Sequence, residues 1–107
     1  MTAPEMLLIL CNTPDDACAE HIARTLVERR LAACVNVMAA CQSVYRWQGE
    51  IETAREIPLL IKTRAEHYAA VESAIRELHP YEVPEIIALP VTAALPAYLD
   101  WVRQESA

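Results

Sequence analysis

Glycine is almost missing from this sequence: Gly49 is the only one in 107 residues. That excludes the glycine-rich phosphate loops of P-loop and dinucleotide-binding folds, which need several residues without a Cβ where backbone meets phosphate. It also removes any glycine-rich oxyanion loop. Phenylalanine is absent, and 9 Lys plus Arg stand against 15 Asp plus Glu, for a net charge of −6. A nucleic-acid surface needs clustered cations, and an RNA-recognition sheet needs exposed aromatics among them. The composition offers a basis for neither. Long hydrophobic runs are lacking too. The apolar stretch Met6–Cys11 is too short for a membrane span or a secretory signal, and Met1–Glu5 carries no basic side chain. The four cysteines, Cys11, Cys18, Cys34 and Cys41, include no Cys-x-x-Cys pair, so a zinc ribbon or dithiol redox motif is unsupported. Reduced thiols and a cytoplasmic location are the expectation.

What is present is a core-forming chain, 54% hydrophobic, expected to make one domain over residues 1–107. Met6–Cys11 reads as a central strand. Thr13-Pro14-Asp15-Asp16 reads as a helix start capped by Thr13, and Ala19, Ile22, Ala23, Leu26 and Val27 follow at helical spacing to about Arg30. Cys34–Trp47 reads as one long strand, Gly49 as a hairpin turn, and Ile51–Thr63 as the returning arm. Pro58 cannot donate to a ladder, so it marks an edge or a bulge. Thr63-Arg64-Ala65-Glu66 carries a capping-box signature, and Tyr68, Val71, Ile75 and Leu78 form the next buried stripe. A last strand is expected from Glu85 to Leu89 or Val91, then a short helix from Pro96 and a frayed tail from Arg103. His21 falls next to the first buried stripe and is read as a solvated or edge histidine, and His67 lies off the second and is read as solvated. The order is that of a split β-α-β, ferredoxin-like α+β fold: an antiparallel sheet with a long hairpin and a short C-terminal helix.

That topology sets the last strand antiparallel to the first. It brings His79-Pro80-Tyr81-Glu82-Val83-Pro84-Glu85, stiffened by its two prolines, to the end of the first strand at Cys11, and points the hairpin the same way. Arms of about fourteen residues span roughly 45 Å, too long for one small domain. Either copies of the chain complete them in a symmetric homo-oligomer, or Ala39–Gln42 breaks the arm into shorter strands. Cys11 and His79 supply a thiol and an imidazole, donors suited to copper or zinc. Two ligands from one chain suit a weak copper site or one shared between subunits better than a tight zinc site. Cys11 as a small buried hydrophobe is the competing reading. The same pair could act as nucleophile and base, with Glu82 or Glu85 orienting the imidazole, but no oxyanion loop or cationic cluster accompanies it. No enzymatic activity is expected.

Several segments recur together in one known family: Leu31-Ala32-Ala33-Cys34-Val35-Asn36, Tyr45-Arg46-Trp47-Gln48-Gly49-Glu50-Ile51, Leu60-Ile61-Lys62-Thr63, His79-Pro80-Tyr81-Glu82-Val83-Pro84-Glu85-Ile86 and Tyr98-Leu99-Asp100-Trp101. In these the chain resembles the CutA divalent-cation tolerance family over roughly residues 5–103. The resemblance implies a ferredoxin-like homotrimer similar to the trimeric PII signalling proteins. It implies a role in tolerance of divalent metals, copper above all, without enzymatic activity. Some bacterial members are described as binding copper through a cysteine at the end of the first strand and two adjacent histidines before the Pro-Tyr. Cys11 matches that cysteine and His79 the second histidine; Leu78 stands where the first would be, and Glu85 or a residue of a neighbouring subunit is the candidate substitute. A PII-like regulator that binds a small molecule or a partner protein in its inter-subunit clefts is the alternative.

Overall fold

The computed structural model describes residues 3–107. Five strands and three helices follow in order: β1 (Met6–Thr13), α1 (Asp16–Glu28), β2 (Cys34–Val37), β3 (Cys41–Trp47), β4 (Glu50–Arg64), α2 (Tyr68–Leu78, entered through a 3-10 turn at Ala65–His67), β5 (Ile86–Val91) and α3 (Pro96–Glu105). Every pairing is antiparallel, in the order β2-β4-β1-β5, with β3 continuing the β2 side of β4. This is the α+β, ferredoxin-like sheet.

Register decides what each face carries, because residues directly opposite share a face. One row runs Ala88–Ile9–Ile61–Val35, and the next runs Ile87–Leu10–Leu60–Asn36 on the opposite face. The first face is sealed by Ala19, Ile22 and Leu26 of α1 and by Val71, Ala74 and Ile75 of α2, so that Ile9, Leu59 and Ile61 reach zero exposure. On the second face α3 covers one end, packing Val102, Tyr98 and Leu99 on Met6, Ala33 and Val91. The rest of that face stays open: Ile87 and Leu89 are about half exposed.

The long arm is broken where the sequence allowed a break. β2 ends at Val37 opposite Leu59, and β3 resumes at Cys41 opposite Glu56. Three residues, Met38–Ala40, therefore face two, Ile57 and Pro58, which is a bulge. The bulge accounts for Pro58 in a strand paired on both sides. A strand residue points its N–H and C=O to the same neighbour, and the Pro58 carbonyl accepts from Met38 N–H at 2.9 Å. The donor that Pro58 lacks thus faces the irregular residues, while the β1 ladder on the other side is untouched. Pro58 marks the bulge and not an edge.

Four local expectations are corrected. Asp15, not Thr13, caps α1: its Oδ1 accepts Cys18 N–H at 2.8 Å. Thr13 remains in β1 and donates its hydroxyl to Ile57 O at 2.9 Å. Thr63 makes no capping box, because its buried hydroxyl donates to Leu31 O, and α2 has no side-chain cap. His67 is not solvated in full, since its Nε2 contacts Ser106 O. The C-terminus is docked: Ser106 is fully buried, and the Arg30 guanidinium donates to Gln104 O and Ala107 O. A tertiary partner took the two hydroxyls that local propensity had assigned to helix ends, and tertiary contacts also hold His67 and the tail that had been expected in solvent.

Candidate functional site

The site lies where β1 ends and β5 begins, with Cys11 directly opposite Ile86. α2 stops at Leu78 because Pro80 holds His79 in the extended region, at φ −87 and ψ 133. His79 is thereby turned inward and is only 7% exposed. Its Nδ1 accepts Tyr81 N–H at 3.1 Å, which fixes the tautomer and leaves Nε2–H to donate to Asn12 O at 2.7 Å. The imidazole also packs on the Tyr81 ring, with centroids 4.6 Å apart.

Asn12 is the hub of this arrangement. Its carbonyl receives the His79 imidazole and also the Cys11 thiol, at 3.8 Å, while its Nδ2 donates to Glu85 Oε1 at 3.4 Å. The three residues singled out by the sequence, Cys11, His79 and Glu85, thus meet around a fourth that the sequence did not single out. Asn12 reads from sequence as a strand terminator. Only the register, which places β5 and the His79 loop beside it, gives it partners.

Burial pushes the Cys11 thiol up to about 12, helped by the nearby Cys18, Glu85 and Glu56. A metal ligand must be the thiolate and a free imidazole nitrogen. Here the thiol is held protonated and both imidazole nitrogens are engaged. The donor types suit a soft divalent ion, but within one chain they are closed on each other and do not form a ready ligand set. Among the described residues no group of three or more His, Cys, Asp or Glu is placed to hold a metal ion.

Beside this knot opens a cleft of about 560 Å³ between the loop and the β3–β4 ribbon. Tyr45, Trp47, Tyr81, Glu56, Glu82 and Glu85 are among its walls. Tyr81 Oη donates to Glu56 Oε2 at 3.1 Å, and burial with that bond raises the phenol to about 12. The β3 arm of the ribbon is seven residues long, roughly 20 Å, and the cleft follows it as far as Trp47, beside the turn at Gly49.

A family profile described as CutA1 divalent ion tolerance protein matches residues 7–105. The chain belongs to that family. It is 43% identical over 99 residues to the divalent-cation tolerance protein CutA of Thermus thermophilus, covering 92% of this chain and 96% of the relative. The crystal structure of CutA from Xylella fastidiosa superposes with a TM-score of 0.94 at 48% identity, covering 96% of this chain and 99% of that one. A structure described as the periplasmic divalent cation tolerance protein CutA from Archaeoglobus fulgidus gives 0.93 at 36% identity, covering 95% and 99%. The CutA family's sheet is therefore the fold seen here. No helix among the described residues is long and apolar enough to cross a membrane.

Proposed function

We propose that this chain is the subunit of a cytoplasmic homotrimer that serves divalent-metal tolerance, and that it takes copper or another divalent cation weakly at Cys11, His79 and Glu85. The observation that carries this reading is the meeting of thiol, imidazole and carboxylate on Asn12. Weakness follows from the same contacts. A cation has to displace a proton from a thiol raised to about 12 and release one hydrogen bond of His79. A donor from a second copy can complete the set. Unpaired thiols at all four cysteines favour the cytoplasm. Titration calorimetry with copper at pH 6 and pH 8 tests the site. Affinity is expected to rise with pH, because the thiolate is the ligand, and to vanish in a Cys11→Ala/His79→Ala double variant. Unchanged affinity in that variant rejects these ligands.

A second reading rests on the cleft. It is wide enough for a small molecule, and Asn12 and Glu85 are among its walls. A PII-like regulator that binds a small molecule there would show ligand-dependent thermal shifts that survive a chelator.

A further inference from the structure

Glu56 lines the cleft with only 8% of its surface exposed, and the Tyr81 hydroxyl is the one side-chain partner of its carboxylate. It makes no salt bridge among the described residues. A buried carboxylate is costly unless a cation or several donors balance it. The Glu82 and Glu85 carboxylates border the same space, while Tyr45, Trp47 and Tyr81 bring aromatic rings to it. No Lys or Arg lines it among the described residues. The cleft thus repels phosphate and other anions. Its carboxylates are not grouped to share one small ion, but ring faces with nearby carboxylates suit a larger, weakly hydrated cation.

We propose that the cleft binds an organic cation: an ammonium group carried on an apolar body, with the charge toward Glu56 and the body against Tyr45 and Tyr81. The inference rests on the small-molecule reading above and names the ligand class. It shares only Glu85 with the proposed metal site; neither Cys11 nor His79 takes part.

The test uses the full, assembled protein and reads binding by titration calorimetry. Benzylammonium, its neutral counterpart benzyl alcohol and the anion benzoate are titrated in the presence of EDTA. Saturable binding of benzylammonium is expected, with benzyl alcohol at least about tenfold weaker and benzoate silent. Glu56→Gln, which keeps an acceptor for Tyr81, should weaken benzylammonium several-fold. Glu82→Gln at the exposed rim should do so to a smaller degree without touching the core. Equal binding of benzyl alcohol overturns the charge class while leaving a regulatory pocket standing. No saturable response to any of the three overturns the proposal and the small-molecule reading together, and leaves the cleft to another copy's ribbon. A benzylammonium response that appears only when EDTA is omitted and copper is added overturns the proposal in favour of the metal site.

Discussion

The Cys11 thiol ionises near 9.0 when solvated and near 12 where the fold holds it. The neutral form is the one the core accepts, so this group's contribution to stability is intact below pH 9. It is lost as the pH rises from there toward 12, because the unfolded chain then releases a proton the folded chain keeps. The melting temperature should therefore hold from pH 7 to 9 and fall above it, with Tyr81, also raised, adding to the fall. Cys11→Ala should lower the plateau by about 1 kcal/mol for lost packing and make the alkaline limb shallower. A variant whose alkaline limb matches the wild type would show that Cys11 is not its source. The same burial explains what the sequence could not distinguish at this position. A thiol at a strand end is equally a ligand or a small apolar filler, and the raised ionisation places the unliganded chain in the second state. His79 was legible for a different reason. The prolines on its C-terminal side fix its backbone, and two hydrogen bonds then fix its ring.

At the scale of elements, patterning outperformed end signals. Of the two expected stripes, Ala19, Ile22, Ala23 and Leu26 and then Val71 and Ile75 are buried as their spacing requires, because one helix face has a single way to meet a sheet; Tyr68 and Leu78 are partly buried, and Val27, at the edge of its stripe, is 42% exposed. The caps at Thr13 and Thr63 failed because a hydroxyl near a strand end has long-range acceptors, Ile57 O and Leu31 O, that no local pattern contains. Asn12 was overlooked on the same account. The β3–β4 turn was readable because it needs positive φ: Gln48 lies at 50° and Gly49 at 83°, the geometry of a type I′ hairpin. No atom lies within 4 Å of a Cβ built on Gly49, so substitution there meets strain and no clash. Gly49→Ala should cost about 1 kcal/mol, seen as a lower urea midpoint, and Gln48→Asn should raise it by a few tenths of that. No loss from Gly49→Ala together with no gain from Gln48→Asn would place the turn in another conformation.

The whole molecule is larger in outline than its mass requires. Its accessible surface is 6723 Å², against about 6,000 Å² for a compact 12 kDa monomer. Its radius of gyration is 14.4 Å against about 13 Å for this length, and its long axis is 44 Å. The excess is the ribbon, where Val44 and Ile51 are two-thirds exposed, together with the open second face of the sheet, where Ile87, Leu10 and Leu60 form an apolar row. Exposed edges and apolar rows of this kind are normally covered. Under the proposed homotrimer both are covered by other copies, which also brings further donors toward Asn12. Ile87→Glu sets an unpaired carboxylate in that row, at a cost of about 3–5 kcal/mol if the row is buried between subunits. Native mass spectrometry and sedimentation should then show single chains where the wild type shows trimers, while Arg24→Glu on the solvent side of α1 leaves the trimer whole. Melting temperature in the wild type should also rise with protein concentration, as it does when folding and assembly are linked. An Ile87→Glu protein of unchanged mass and stability would mean that this row faces water in the working molecule. The ribbon would then have to account for self-association alone.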